Sequence, residues 1–189
     1  MSFWMNLFNI KHSVCAKKDV SNMICYREDK SMEDSIFLRA DEIGIRLEIV
    51  GGLPMWESYP PYRHQKAVDR IRATIDKLPQ STCIHTAGVY ISFPDGSVKR
   101  PDIAIFCREL EEQDEMITLV PEAVIEVISK GYEAKDLEIG PRFYLSQGVK
   151  DVVVFDPYTL LVLHVRRDGV TRQVAPVQIN FECGCRCTV

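Results

Sequence analysis

The strongest constraint on the fold is a pair of acidic residues placed inside apolar segments. Asp102 lies in the segment RPDIAIF and Glu126 lies in the segment AVIEVIS, and both segments are typical of buried β-strands. An ionised carboxylate is costly to bury, so each acid must be protonated, paired with a cation or bound to a metal ion. The fold must therefore bring a neutralising group to both positions.

Side-chain alternation along a strand indicates where these acids point. Glu126 shares a strand face with Val124 and Ile128, and Asp102 shares a face with Ala104 and Phe106. If the two strands are neighbours with these faces aligned, the two carboxylates converge on one point. Converging oxygen donors suit a hard divalent cation, so the sequence predicts a site for Mg²⁺ or Mn²⁺.

Each acid taken alone also has an ordinary structural interpretation. Asp102 follows Pro101 and can cap a turn before its strand, and Glu126 can pair with Lys99 or Arg100 across the sheet. Ion-pair networks imitate active sites often enough that neither acid is diagnostic alone. The two acids together favour the metal site.

Length and composition favour one soluble domain. The 189 residues suffice for a single core with an appendage, and 46% apolar with 26% charged residues is ordinary for a globular protein. We expect an N-terminal extension over residues 1–31, either a short surface helix or disordered, a domain over 32–180, and a cysteine-containing tail over 181–189. A net charge of -4 gives no overall basic footprint, which weakens the case for tight nucleic-acid binding without excluding local contact with DNA.

The cysteines indicate the compartment. There are seven, an odd number, and three of them form the C-x-C-x-C tail of Cys183, Cys185 and Cys187, which is unlike a secreted disulfide framework. The N-terminal residues lack a signal-peptide pattern and no segment is apolar enough for a membrane span, so we expect a cytoplasmic protein. Structural zinc generally takes four ligands, so the sequence predicts an ordinary reduced tail unless a fourth ligand, such as His164, lies nearby.

Periodicity and turn residues predict the order of the secondary structure. The segment 120–129 is apolar on both faces, as expected for the central strand of a covered sheet. The other predicted elements are a strand at 43–50 in an N-terminal β-hairpin region, a helix from Gln65 to Leu78 ended by Pro79, strands at 89–93 and 98–107 joined by an Asp95-Gly96 turn, a short helix beginning at Gly140-Pro141, and three final strands.

These motifs in this order resemble a known family. A His after a turn, R-P-D ahead of an apolar strand, P-x-x-V-I-E-V-I-S, D-L before a helix and Y-x-x-x-G-V resemble the Uma-two type of proposed endonucleases, within the PD-(D/E)XK restriction-endonuclease-like superfamily. The resemblance covers about residues 40–170 and is most specific over 121–157. It implies an α/β (α+β) fold with a mixed β-sheet flanked by helices, Mg²⁺-assisted hydrolysis of phosphodiester bonds, with DNA the favoured nucleic acid, and a homodimer.

The resemblance also implies roles for individual residues. Asp102 and Glu126 match the metal-binding acids of the family. Glu48 and His64 match an acid and a histidine at the edge of the family's active site, although a surface acid and a histidine at a helix N-terminus explain them equally well.

One departure from the family concerns its catalytic lysine. The superfamily places a lysine two residues after the glutamate, where this sequence has Ile128, and the Uma-two lysine on the following helix aligns with Gly140. We expect Lys135 to substitute, with Lys130 as second choice and Arg142 as a further basic residue. Both lysines can equally be read as solvated loop residues.

A basic helix face is the candidate nucleic-acid surface. Arg63, Lys66 and Arg70 are spaced to share one face of the predicted helix, and with Arg142 they are candidate contacts to a phosphate backbone. A solvated helix face is the commoner explanation of such a pattern.

Three functional interpretations remain open. The first is an active nuclease, and the second is a catalytically reduced relative that binds nucleic acid or a partner without cleavage. The third is a structural or interaction protein in which the two acids are paired with arginines and point to opposite faces of the sheet.

Overall fold

The computed structural model describes residues 15–17, 23–25, 32–79, 82–111 and 116–189. Strands β1 (Cys15–Lys17) and β2 (Met23–Cys25) pair with each other in antiparallel fashion. The rest of the predicted extension over residues 1–31 lies outside the described residues, so the domain boundary at residue 32 stays a prediction.

The elements of the domain alternate between helices and short strands. Among the described residues the helices are α1 (Met32–Glu42), α2 (Tyr62–Ala73) and α3 (Gly140–Ser146), and a π-helical turn (Lys135–Ile139) leads directly into α3. The strands that follow β2 are β3 (Ile45–Val50), β4 (Leu53–Ser58), β5 (Asp76–Lys77), β6 (Ile84–Thr86), β7 (Ile91–Ser92), β8 (Val98–Lys99), β9 (Ile103–Phe106), β10 (Ala123–Val127), β11 (Asp151–Phe155), β12 (Leu161–Arg166), β13 (Gly169–Val174), β14 (Gln178–Asn180) and β15 (Cys185–Thr188).

A mixed six-stranded sheet forms the centre of the domain. Its strand order is β13-β12-β11-β10-β9-β6, with β10 parallel to β11 and antiparallel to β9. All five residues of β10 are buried, as predicted for a central strand. One sheet face packs against α2 through residues such as Ile125, and the other packs against α3 through residues such as Val124. The predicted α/β (α+β) class and the mixed sheet flanked by helices are confirmed.

A second sheet carries the predicted N-terminal hairpin. Its strand order is β4-β3-β8-β7, and β3 and β4 pair over their full length from Ile45 opposite Ser58 to Val50 opposite Leu53. The turn residues Gly51 and Gly52 have φ values of +56° and +80°, which glycine adopts without strain.

The predicted strand over 98–107 is wrong, because two strands in different sheets occupy it. The hairpin through Asp95-Gly96 does form, with Ser92 opposite Val98. Between β8 and β9 the main-chain N–H of Arg100 donates to the Glu48 carboxylate at 2.9 Å, and Pro101 has no N–H to give. The chain therefore leaves one sheet after β8 and enters the other at β9, and Asp102 lies in the bend between them.

The predicted helix bounds, Gln65 to Leu78, also need correction. Helix α2 begins three residues earlier at Tyr62 and ends at Ala73, where the hydroxyl of Thr74 donates to the Ile71 carbonyl at 2.7 Å. The chain then extends as β5 and pairs with β15, so Pro79 does not end the helix. A tertiary strand pairing outweighs the local helical periodicity here.

The tail predicted at 181–189 is an integral part of the domain. Strand β15 lies between β14 and β5 in a three-stranded sheet, and Cys185 and Cys187 are buried in the same core cluster as Ile125. A disulfide joins Cys185 to Cys83, which corrects the expectation of an ordinary reduced tail. None of the described helices has the length and apolar character that crossing a membrane requires.

Candidate active site

Asp102 is held by partners from three elements. It is buried, and its Oδ2 accepts the main-chain N–H of Val127 at 2.9 Å and lies 3.0 Å from Nε2 of His64 on α2. A guanidinium nitrogen of Arg46 on β3 lies 3.7 Å from Oδ1. Because Asp102 sits in the bend before β9, strand alternation does not fix its direction, and the side chain reaches α2.

Glu126 lies on β10 and is linked to Asp102 through the main chain. Its Oε2 accepts the N–H of Asp102 at 3.1 Å, while the Asp102 carboxylate in turn accepts the N–H of Val127, next to Glu126. Its Oε1 accepts the hydroxyl of Tyr144 on α3 at 2.5 Å. Each acid thus accepts a main-chain N–H at or next to the other acid, and Asp102 and Glu126 also contact α2 and α3 respectively.

Glu48 lies on β3 and forms ion pairs with two lysines. Its Oε2 accepts the Nζ of Lys99 at 2.9 Å and lies 3.7 Å from the Nζ of Lys135, and its Oε1 accepts the N–H of Arg100. Burial raises the pKa of Glu48, but the charges of Lys99 and Lys135 and these hydrogen bonds outweigh burial and lower it to about 2. Glu48 is therefore ionised, and it fixes the position of both ammonium groups.

The two linked acids have opposite pKa shifts. Burial, followed by the negative charge of Asp102, raises the pKa of Glu126 to about 7. Burial also acts to raise the pKa of Asp102, but the hydrogen bond and charge of His64, with Arg46, outweigh it and lower that pKa. The negative charge of Asp102 is thus balanced within the protein, whereas that of Glu126 is balanced only in part by the lysines.

His64 has a raised pKa and one ring nitrogen that its contact with Asp102 does not use. Burial lowers the pKa of His64, but the hydrogen bond and charge of Asp102 outweigh burial and raise it. Its Nδ1 is buried and has no hydrogen-bond partner within the described part of the chain. This atom can donate to a group that enters the site.

The structure separates the two candidate lysines. Lys135, in the π-helical turn, points to Glu48 and also lies 3.4 Å from Asp136. Lys130 is exposed beyond the end of β10 and has no described contact with either acid. Of the two, only Lys135 contributes its charge to the environment of Glu126.

Lys99 is a third basic residue that the sequence did not single out as catalytic. It is 1% exposed, and its Nζ lies 5.1 Å from the centre of the Tyr144 ring. Gly140, where the family lysine aligns, faces the same ring, because a Cβ built on it would lie 3.9 Å from Tyr144. A buried ammonium therefore lies beside the ring that the missing lysine would have approached, but it comes from β8.

A basic cleft of about 280 Å³ opens beside Asp102. Arg46, Arg72 and Arg100 line it together with Asp102. The Nε of Arg72 is buried without a hydrogen-bond partner among the described residues. Three guanidinium groups around one carboxylate suit a phosphate better than a neutral or cationic ligand.

The predicted basic face of α2 lines a different groove. Arg63, Lys66 and Arg70 border a groove of about 630 Å³ that is lined largely by apolar residues and does not include Asp102. The guanidinium of Arg63 lies 5.1 Å from the ring centre of Tyr158. Arg142 is exposed on α3. The structure therefore does not bring these four residues together with the acids.

Sequence reasoning missed Arg46 and Tyr144, and it named Lys99 as a possible partner of Glu126 but not of Glu48. In IRLEIV the R-x-E spacing places Arg46 and Glu48 on one strand face, opposite the apolar residues. A lysine at 99 inside a short strand is as unusual as a buried acid. The contact of Tyr144 with Glu126 had no signal, because the residue lies among apolar neighbours of a short helix.

The acids fit a hard metal ion by donor type. Mg²⁺ commonly takes one or two carboxylates and keeps several waters, and Asp102 and Glu126 supply two such carboxylates. The raised pKa of Glu126 marks a buried negative charge that a cation would relieve. For both acids to bind one ion, Glu126 would exchange a hydrogen bond for the metal.

Comparison with known proteins gives a match to a family model and a similarity to solved structures. The family model of Uma2, described as "Putative restriction endonuclease", matches residues 33–182. A crystal structure of a "putative nuclease belonging to DUF820" from Anabaena variabilis is similar with a TM-score of 0.55 and 19% identity, over 69% of this chain and 78% of that one. None of the curated proteins matches this chain. The resemblance deduced from the motifs is confirmed.

Proposed function

This chain belongs to the Uma2 family, and from that premise we propose that it is a metal-dependent endonuclease that hydrolyses phosphodiester bonds of nucleic acid, with DNA the favoured substrate. The observation that supports the proposal best is the reciprocal linkage of Asp102 and Glu126 beside a cleft lined by three arginines. A purely structural ion pair needs only one acid and one cation. This site has a second buried acid, Glu126, whose pKa is raised to about 7.

The metal part of the proposal concerns Asp102 and Glu126. A Mg²⁺ or Mn²⁺ ion held by these two carboxylates would supply a Lewis acid for the phosphate and an activated water. The protein's own contribution is to keep the two acids at a fixed distance from each other, through two main-chain N–H groups that do not move with side-chain rotation.

The lysines provide the charge stabilisation that the family lysine would have given. Lys135, whose side chain is 12% exposed, lies at the edge of the site and can reach a substrate phosphate. Lys99, at 1% exposed, orients Glu48 and through it the position of Lys135. A fixed ammonium near a reacting phosphate stabilises the negative charge that develops in the transition state.

His64 and the arginines hold the substrate in this proposal. The Nε2 of His64 is occupied by Asp102, which leaves Nδ1 to donate to a phosphate or leaving oxygen. Arg72 and Arg46 border the cleft and bind the phosphate backbone on either side of the reacting bond. The exposed residues Arg63, Lys66, Arg70 and Arg142 then contact phosphates further along the strand.

A second candidate function is a relative that binds nucleic acid without cleaving it. Gly140 in place of the family lysine favours it, and so does the fact that both oxygens of Glu126 already accept hydrogen bonds. In this interpretation the basic cleft binds nucleic acid, but the site does not hydrolyse phosphodiester bonds.

The test combines metal binding with cleavage on the same samples. Isothermal titration of Mg²⁺ and Mn²⁺ into the wild type, Asp102→Ala and the control Asp151→Asn precedes incubation of each with supercoiled plasmid. We expect binding and cleavage in the wild type and the control and neither in Asp102→Ala. Binding without cleavage by the wild type would replace the proposal by the binding function, and absence of metal binding would remove both metal and hydrolysis from it.

The resemblance also implies a homodimer, which we include in the proposal. Size-exclusion chromatography with light scattering measures the mass directly. We expect twice the mass of the 21.6 kDa chain, and a monomer at all concentrations would remove this part.

A further inference from the structure

Four cysteines from three separate segments meet at one end of the central sheet. Cys83 immediately precedes β6, and Cys107 immediately follows β9. Because β6 and β9 are antiparallel, with Ile84 opposite Phe106, these two cysteines lie at the same end of the strand pair.

A tight turn delivers the other two thiols to the same place. The N–H of Gly184 donates to the Phe181 carbonyl, and the N–H of Phe181 donates to the Cys185 carbonyl, which closes the turn that contains Cys183. Gly184 has a φ of +84°, which favours glycine between the two cysteines. Pairing of β15 with β5 then anchors the turn against the central sheet.

The sulfur atoms are close enough to bind one metal ion together. Cys185 is bonded to Cys83, and its sulfur lies 3.6 Å from that of Cys107. The sulfurs of Cys107, Cys183 and Cys185 all lie within 4.8 Å of one another. Tetrahedral zinc with Zn–S bonds of about 2.3 Å requires sulfurs about 3.8 Å apart, so a small adjustment of this cluster produces that geometry.

We propose that Cys83, Cys107, Cys183 and Cys185 form, in the reduced protein, a tetrathiolate site for Zn²⁺. The tail cysteines alone lack a fourth ligand, and His164, the sequence candidate for it, is engaged by Asp151 at 2.7 Å. The folded chain supplies two further ligands instead, Cys83 just before β6 and Cys107 just after β9. A closed Cys₄ set without a vacant position is typical of structural zinc.

Metal binding requires reduction of the bond between Cys83 and Cys185. A dithiol reductant transfers two electrons and two protons to the bond, giving two thiols, and is itself oxidised to a cyclic disulfide. Zn²⁺ then replaces the protons of the four thiols, which are released, and the resulting site carries a net charge of -2. The segments that carry Cys83 and Cys185 are thus joined by a disulfide in the oxidised chain and through the zinc ion in the zinc-bound chain.

The site has a structural consequence for the core. The cysteines border the cluster that contains Ile125, Val127 and the residues of α2 that pack on β10. Zinc would cross-link β15 to β6 and β9 at a position outside the Asp102 cleft. This metal is therefore distinct from the ion proposed for the acids.

The experiment uses the full chain, reduced with a phosphine and purified anaerobically. Zinc content is measured by elemental analysis, and Co²⁺ substitution is followed by absorption spectroscopy. We expect one zinc per chain, with intense thiolate-to-cobalt charge transfer and the strong visible bands of tetrahedral cobalt. The spectrum of the wild type reports ligand type and geometry by itself, so it decides the question even if a variant fails to fold.

Matched variants assign the ligands. Cys183→Ser changes a partly exposed thiol in the turn before β15 and is expected to abolish the tetrathiolate spectrum, whereas Cys187→Ser changes a buried thiol on β15 outside the cluster and is expected to keep it. Asp102→Asn is expected to retain the zinc. A reduced wild type without zinc or thiolate-cobalt bands overturns the proposal, and so does an unchanged spectrum in Cys183→Ser.

Discussion

Two buried aspartates in this molecule have the same kinds of partner and very different surroundings. Asp102 and Asp151 each lie close to a histidine Nε2, to an arginine and to one main-chain N–H. In both cases the combined partners lower the aspartate pKa against the effect of burial. The partner set by itself therefore does not identify a reactive site.

The Asp151 cluster has short contacts throughout. Its Oδ1 lies 2.7 Å from Nε2 of His164 and accepts the Nε of Arg166 at 2.6 Å, and its Oδ2 accepts the N–H of Glu182 at 2.9 Å. The same guanidinium also donates to the carbonyl of Asn180 at 2.8 Å. These contacts join β11 and β12 to the segment leading into the last strand, which is a structural role.

The Asp102 cluster is looser, and it has an additional acid. Arg46 stands 3.7 Å away instead of 2.6 Å, His64 keeps an unpartnered Nδ1 among the described residues, and the carboxylate borders a cleft. Glu126 adds a second carboxylate whose pKa is raised to about 7. What distinguishes this candidate active site from a structural ion-pair network is thus an incompletely balanced charge and an unpartnered ring nitrogen next to an acid that borders a cleft.

The largest expected difference is between substitutions of the two aspartates. Asp102→Asn should reduce plasmid cleavage by roughly 10³-fold, because a metal ligand and its charge are lost. Asp151→Asn should leave cleavage within about threefold but lower the free energy of unfolding by about 2 kcal/mol, because it removes the buried charge that pairs with His164 and the partly exposed Arg166. Cleavage rates and urea unfolding of both variants measure this. Equal loss of activity in the two would erase the distinction.

The two predicted lysines give the next comparison. Lys135→Met should reduce cleavage about 10²-fold, since it removes the ammonium nearest to a substrate phosphate. Lys130→Met, an identical change at an exposed position on the same connection, should leave the rate unchanged. Single-turnover cleavage at saturating Mg²⁺ measures both, and a larger effect at Lys130 would contradict the assignment.

The pH dependence of stability sharpens the difference between the acids. Glu126 has an ordinary pKa of 4.5 in the unfolded chain and about 7 in the folded one, so the folded state holds a proton that the unfolded state releases. The free energy of unfolding should therefore fall as the pH rises through this window, by on the order of 3 kcal/mol.

Glu126→Gln should remove the part of this fall that belongs to Glu126 and leave only the part that the raised pKa of His64 contributes above pH 6.5, whereas Asp151→Asn should retain the whole fall, because the lowered pKa of Asp151 affects stability only in more acidic solution. Urea unfolding of the metal-free protein between about pH 5 and pH 8 tests both variants. A fall of undiminished size in Glu126→Gln would assign the buried proton to another group.

The smallest expected effect concerns the arginines. Arg72→Ala, in the cleft beside Asp102, should weaken DNA binding a few-fold and reduce the salt slope by about 1, as for loss of one phosphate contact. Arg166→Ala, beside Asp151, should leave both unchanged because that guanidinium is already used within the fold. Fluorescence anisotropy over a salt series in Ca²⁺ measures the two, and an equal loss would show that the cleft is not the path of the backbone.

The sequence predicted the elements that depend mainly on residues close together in the chain. The central strand around Glu126 and the hairpin through Gly51 and Gly52 follow from apolar periodicity and turn residues, and the family motifs selected both acids. The strand break before Asp102 was not predictable, because it depends on the Arg100 N–H donating to Glu48, which is about fifty residues away in sequence.

The remaining errors have the same origin. Helix α2 ends early because Lys77 pairs with Cys185, which is more than a hundred residues away in sequence. Lys99 pairs with Glu48 because β8 and β3 are neighbours, and the sequence near Lys99 does not indicate that neighbour. A single sequence shows which residues are unusual, but not which distant residue neutralises them.

Gly140 leaves little room for a larger residue at the position where the family lysine aligns. A Cβ there would lie 3.2 Å from the carbonyl oxygen of Lys135, and a lysine would bring a third ammonium towards Lys99 and the Tyr144 ring. A Gly140→Lys substitution would therefore meet steric crowding and charge repulsion together. The site can accommodate a lysine at position 140 only if Lys135 shifts and the charge of Lys99 is removed.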